Sequence, residues 1–129
     1  MDEKQQQEVM FKLQMFQQHA EQLQQQLQAV EEGLKEMTVL SHGLDELVGK
    51  KDQEIKAHLG RGMFVDAKLL SEKLTVDVGG KRFVKKSIPE AKEIIEVQIK
   101  KLEDVKVELN SNLEKLSAEM QKAIGDVQE

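Results

Sequence analysis

A seven-residue repeat of apolar side chains constrains the fold of this chain more than any other feature of its sequence. From residue 9, apolar positions are separated alternately by four and three residues: Val9, Leu13, Phe16, Ala20, Leu23, Leu27, Val30, Leu34 and Met37. This spacing is the heptad pattern of a left-handed coiled coil. The repeat continues less regularly through Ser41, Leu44 and Val48, with Leu40 and Leu47 one step off it. Residues 1–48 are therefore predicted to form a long coiled-coil helix.

A second helical repeat follows a helix-start signal. Ser87 and Glu90 form an S-x-x-E capping box, and Pro89 stands in the first turn, where its missing N–H costs nothing. Apolar residues then recur at Ala91, Ile95, Ile99, Leu102, Val105, Leu109, Leu113, Leu116, Met120, Ala123 and Val127. Two successive steps of four around Leu109 predict a stutter in the repeat. Residues 87–129 are predicted to form the second coiled-coil helix.

Between the two repeats, the apolar spacing changes to the two-residue period of β-strands. Apolar and polar residues alternate over 55–59, 63–69 and 74–78, and residues 81–86 continue as a returning strand. Glycines at positions 60, 62, 79 and 80 mark two turns. The segment 53–86 is therefore predicted to form two consecutive β-hairpins.

These elements predict an α+β fold that is mostly α, in one domain overall. The β insert returns the chain, so the helices pair as a long antiparallel two-helix coiled coil with both termini at one tip. An isolated hairpin is marginal in water, and exposed strand edges are aggregation hazards unless other subunits cover them. We expect an obligate oligomer joined through the hairpins.

Composition excludes several classes of function. The chain of 129 residues has no Cys, Trp or Tyr and a formal net charge of −5. It therefore lacks disulfides and thiolate sites, and the negative charge disfavours nucleic-acid binding. No apolar run reaches the length of a membrane span, and the start lacks the pattern of a secretory signal, so we expect a soluble, cytoplasmic protein with no membrane partner. The one basic cluster is best explained as protection of an edge strand and consists of Lys81, Arg82, Lys85 and Lys86.

The sequence contains no motif for catalysis or for a metal or cofactor. His19, His42 and His58 are scattered and lack the spacing of metal ligands. Residues 60–65 begin like a G-x-G-x-x-G motif but end in valine, and no phosphate-binding loop is present. We therefore expect no enzyme activity, no metal site and no cofactor.

Apolar side chains off the heptad positions occur near both chain ends. They are Met10, Phe11 and Met15 on the first helix and Ile124, beside Met120, on the second. Exposed apolar patches tend to mark interaction sites, and methionine adapts to varied apolar surfaces. A thickened pairing of the helix ends, or packing on a neighbour, fits these residues equally well. The residues alone leave the two roles open.

The hairpin segment resembles the alpha class of prefoldin subunits, of the archaeal type. Residues 59–69 (LGRGMFVDAKL) and 74–80 (LTVDVGG) are similar to the two hairpins of that class, and residues 84–91 (VKKSIPEA) are similar to its entry into the second helix. Two departures are visible: His58 stands where the family often has proline, and residues 79–81 read Gly-Gly-Lys where glycine-x-glycine is common. Two hairpins rather than one separate the alpha class from the beta class.

The resemblance implies a hexamer of two alpha and four beta subunits, whose hairpins form an oligomeric β-barrel. It also implies an ATP-independent holdase that captures unfolded proteins at its coiled-coil tips and delivers them to a group II chaperonin. The client-binding residues would be Met10, Phe11, Met15, Phe16, Met120 and Ile124. The oligomer interface would comprise Val65, Ala67, Leu69, Leu74, Val76 and Val78, although packing within each hairpin explains these strand residues equally well.

Two other functions remain open on the same prefoldin-like fold. A structural filament or scaffold subunit would self-associate through its hairpins and need neither a beta partner nor a client. A coiled-coil subunit specialised for one partner would show few exposed apolar residues at its tip.

Overall fold

The computed structural model describes the backbone of residues 2–128 and the side chains of residues 2–125. The elements in chain order are helix α1 (Glu3–Leu47), strands β1 (Glu54–Gly60), β2 (Met63–Lys68), β3 (Leu74–Asp77) and β4 (Phe83–Lys86), and helix α2 (Ile88–Gln128). Two long helices with two β-hairpins between them confirm the predicted α+β, mostly α fold. The chain divides into two compact units: unit 1 (Met1–Leu34 with Lys100–Glu129) and unit 2 (Lys35–Ile99).

In unit 1, the two helices pack antiparallel around an apolar cluster. Leu23, Leu109 and Leu116 are buried at its centre. Partly buried heptad residues surround them: Phe16, Ala20, Leu27, Val30 and Leu113. Lys106 Nζ lies 3.8 Å from Glu31 Oε1 on the opposite helix. The heptad positions of α1 in this unit therefore face α2, as the sequence predicts.

The heptad repeat of α2 is more regular than the sequence predicts. Apart from Ala91 and Ser111, the shielded residues of α2 recur at alternating steps of four and three: Ile88, Lys92, Ile95, Ile99, Leu102, Lys106, Leu109, Leu113, Leu116, Met120 and Ala123. The predicted stutter around Leu109 is wrong, because Lys106 takes the position assigned to Val105, which is 41% exposed. The hydrocarbon stem of a lysine covers apolar surface while its ammonium stays in water. Val127 lies outside the described side chains.

In unit 2, strand β3 packs against the two helices. The buried cluster is formed by Leu44, Ile88, Ala91 and Ile95, and it is flanked by Met37, Leu47, Leu74 and Ile99. The Lys92 ammonium donates a hydrogen bond to the Asp45 carboxylate across the helices. Helix α1 ends at Leu47. Leu47, one step off the repeat, is therefore the last shielded residue of α1, and Val48, assigned to the repeat from the sequence, is 57% exposed.

The hairpins form two separate two-stranded antiparallel sheets. In the first, Ala57 pairs with Val65, and the register shifts between His58 and Gly60. In the second, Val76 pairs with Val84. The glycines of both turns have positive φ, a conformation that few other residues adopt at low cost. Each sheet has only two strands, so the barrel needs strands from other chains and stays a prediction.

The capping box at the start of α2 forms as the sequence predicts. The Ser87 backbone N–H donates to Glu90 Oε1 at 3.1 Å, and the Ser87 hydroxyl donates to the same oxygen at 2.9 Å. The Glu90 backbone N–H donates to Ser87 Oγ at 3.3 Å. The bond from the Ser87 backbone, followed by that from its hydroxyl, lowers the pKa of the Glu90 carboxyl below its usual 4.5.

We expect this capping box to contribute to a fall in the free energy of unfolding at acid pH. Because the pKa of Glu90 is lowered on folding, its stabilising contribution is present above about pH 4.5 and is lost as pH falls through the lower folded value. Urea unfolding between roughly pH 3 and pH 6 should therefore show a steeper loss of stability in the wild type than in Glu90→Gln. Ser87→Ala should cost about 1 kcal/mol at neutral pH. Equal slopes for wild type and Glu90→Gln would contradict this role.

Candidate functional site: the helix tip and the hairpin surfaces

In unit 1, apolar side chains are exposed near the start of α1 and near the end of α2, a region we call the tip. Met10 is 63% exposed, Phe11 64% and Met15 52%, and Ile124 of α2 is 39% exposed. Phe11 follows the heptad residue Val9 by two positions, roughly 200° around the helix, and so points away from α2. These four predicted client-binding residues are thus available to a partner.

The other two predicted client-binding residues, Phe16 and Met120, are half-buried because they occupy heptad positions. Phe16 packs against the buried leucine cluster of unit 1. It also lines an open groove between α1 and α2, the tip groove, together with Met15 and Leu116. The polar lining of this groove consists of Gln18, His19, Glu21, Gln22, Gln25, Asn112, Lys115 and Glu119.

The predicted oligomer-interface residues divide into three groups. Leu74 packs against the buried cluster of unit 2, so its side chain already serves packing within the chain. Val65 and Val78 are 46% and 52% exposed. The remaining three are half-buried: Ala67, Leu69 and Val76. The six side chains therefore do not behave as one uniform exposed surface.

The most exposed apolar residues of the hairpin segment were not among those predicted. They are Leu59, Met63, Phe64, Leu70 and Phe83, with exposures between 58% and 75%. The Phe64 ring lies 5.0 Å from the ring of His58 on the paired strand. Strand alternation assigns Phe64 and Phe83 to the polar faces of their hairpins, which is why the sequence pattern did not select them.

A second, more apolar groove lies beside β3 in unit 2, and we call it the β3 groove. Its walls come from Met37, Leu40 and Leu44 of α1, Leu74–Asp77 of β3, and Ala91, Ile94, Ile95 and Gln98 of α2. Leu40 and Ile94 are 49% and 37% exposed. Val76 thus stands at an apolar surface that is open within this chain.

Metal binding and membrane spanning can both be judged from the part of the chain that the structure describes. Within that part of the chain, no group of three or more His, Asp or Glu residues could hold a metal ion. None of the helices there is long and apolar enough to cross a membrane. In the basic cluster, the Lys86 ammonium lies 3.9 Å from the Glu90 carboxylate, so this lysine is partly neutralised within its own chain.

Comparison with known proteins identifies the family. The model of the prefoldin family, described as prefoldin subunit, matches residues 16–129. The prefoldin subunit alpha of Methanobrevibacter smithii is 31% identical over 103 residues, which cover 79% of this chain and 70% of that protein. The chain therefore belongs to the prefoldin family, which is a family of chaperones rather than enzymes.

A solved structure agrees with the fold. A chain of the filamentous prefoldin (PFD) from Methanocaldococcus jannaschii, determined by cryo-electron microscopy, superposes with a TM-score of 0.77 at 20% identity. The match covers 89% of this chain and 97% of that one. Two helices joined through two hairpins are thus the prefoldin fold, and the resemblance to prefoldin subunits is confirmed.

Proposed function

We propose that this chain is the alpha-type subunit of an ATP-independent holdase that captures unfolded proteins at its tips and delivers them to a group II chaperonin. The observation that carries the proposal is the exposure of Met10, Phe11 and Met15 near the N-terminal end of α1. A side chain that only stabilised the helix pair would lie at the heptad positions. The tip instead presents apolar area to solvent.

Capture relies on many weak apolar contacts. Burying a methionine or phenylalanine side chain fully contributes about 1.5–3 kcal/mol, and a client covers each only in part. Flexible methionines adapt to unfolded segments of different sequence. Several tips that act on one chain raise its effective concentration, so the client is held although each contact exchanges rapidly. Release needs no nucleotide, because no single contact is strong.

Assembly is proposed to bring these tips together in the cytoplasm. Two alpha and four beta subunits would join their hairpins into a β-barrel. Two-stranded sheets with exposed apolar residues such as Met63 and Leu59 gain stability from further strands. The relative named prefoldin subunit alpha supports the assignment to the alpha type.

Native mass spectrometry of the chain, alone and mixed with a beta-type subunit from the same source, tests the assembly. We expect the mixture to give a closed hetero-hexamer that contains two copies of this chain, and that complex should suppress aggregation of a urea-unfolded client diluted from denaturant. Long homopolymers that form equally with and without the beta subunit would contradict this proposal.

A filament or scaffold subunit is the second candidate. It is supported by the fold match to a protein described as filamentous and by the exposed apolar residues of both hairpins. This function predicts homopolymers visible by electron microscopy. It also predicts that tip substitutions leave their length unchanged.

A further inference from the structure

The negative charge of the chain is concentrated in the unit that contains the tip. The segments Met1–Leu34 and Lys100–Glu129 together hold thirteen Asp and Glu residues against seven lysines and no arginine. Residues 35–99 hold eleven acidic and twelve basic residues. Unit 1 therefore accounts for the acidic excess of the whole chain. Its field attracts positively charged segments and repels acidic ones before contact.

The tip groove combines apolar surface with hydrogen-bonding amides, a combination that suits an extended peptide. Met15, Phe16 and Leu116 provide apolar surface for side chains. The amides of Gln18 and Gln22, like the others in the lining, both donate and accept hydrogen bonds, as a peptide backbone requires.

The charged lining of the groove favours a cationic ligand. Glu21 and Glu119 are exposed, and neither carboxylate forms an ion pair with another described residue. Lys115 and His19 also line the groove. The net negative charge of the groove lining is therefore small. The excess of carboxylates over lysines in the rest of unit 1 adds to it.

We propose that the tip groove selects client segments that are both apolar and basic, in an extended conformation. The proposal rests on the holdase function and names the class of client segment that the holdase prefers. Apolar side chains of the segment contact Phe16 and Leu116, its backbone bonds to the glutamine amides, and its lysines or arginines lie near Glu21 and Glu119. Charge complementarity of this kind adds specificity and speeds association.

Fluorescence anisotropy with three labelled peptides tests the preference, using the full chain in its assembled form. The peptides share the same apolar residues and differ only in the intervening positions, which are lysine, serine or glutamate. We expect the lysine peptide to bind about tenfold more tightly than the glutamate peptide at low salt. The serine peptide should be intermediate. About 1 M salt should remove most of the difference, because screening then acts within about 3 Å.

Charge-reversed variants show whether the preference for the lysine peptide arises at the tip groove. Glu21→Lys combined with Glu119→Lys should reduce the ratio between the lysine and glutamate peptides to about unity or invert it. The matched control, Glu36→Lys with Glu96→Lys, reverses two exposed carboxylates of unit 2 and should leave the ratio unchanged.

The possible outcomes distinguish this inference from the proposed holdase function on which it rests. Equal binding of all three peptides would overturn the preference for basic segments and leave the apolar holdase intact. A preference that survives in the Glu21 and Glu119 variant would overturn the groove as its location. Failure to bind any peptide, together with failure to suppress aggregation, would remove the holdase proposal as well.

Discussion

Replacing Met10, Phe11, Met15 and Ile124 with serine is expected to abolish suppression of client aggregation and to leave the native mass of the assembly unchanged. All four side chains are exposed, so their loss removes little packing between the helices. Because both tips that this chain contributes to the proposed hexamer lose apolar area at once, the multivalent attachment falls far more than any single contact. Light scattering of a client diluted from urea measures the activity, and native mass spectrometry measures the assembly.

A control variant distinguishes the tip from exposed apolar surface in general. Val39, Val97 and Val107 are 64%, 53% and 69% exposed on the two helices but lie outside their terminal turns. Changing these three valines to serine should preserve suppression. If the tip variant still suppressed aggregation, the tip would not be the client site. If both variants lost activity equally, capture would depend on total apolar exposure rather than on the tip.

The helices could be predicted from the sequence because a local heptad repeat determines which residues of each helix face the other. Each heptad residue of α1 from Val9 to Leu44 is shielded in the structure, as its spacing requires. The prediction failed where side-chain type was a poor guide to position. The apolar pattern selects Val105 over Lys106 because Lys106 is ionisable. The stem of Lys106 is nevertheless half-buried, and its ammonium lies 3.8 Å from Glu31 Oε1.

The surfaces of the hairpins could be predicted less well. In a two-stranded sheet, alternation shows which residues share a face, but burial of that face depends on what packs against it. Leu74 is shielded because the helices of its own chain cover it, whereas Phe83 and Phe64 have no such cover. The amides of the tip groove were also missed, because glutamine at outer heptad positions is indistinguishable by pattern from ordinary solvated surface.

Val76→Asp is expected to dissociate the assembly into smaller species. Val76 is half-buried, pairs with Val84 and lines the β3 groove beside Leu40 and Ile94. If a neighbouring chain packs on this groove, the new carboxylate loses its water without gaining a partner, which costs several kcal/mol. The native mass of the variant, measured alone and with a beta-type subunit, gives the result directly.

Lys85→Asp is the matched control for the assembly prediction. It places the same carboxylate on the opposite face of the same hairpin, one residue along β4 from the partner of Val76. Native mass should survive this change although it alters charge more than Val76→Asp does. Far-UV circular dichroism must show both variants folded, because dissociation of an unfolded chain would say nothing about the interface. A folded Val76→Asp variant of unchanged mass would mean that β3 packs only within its own chain, and the β-barrel prediction would then lose its main support.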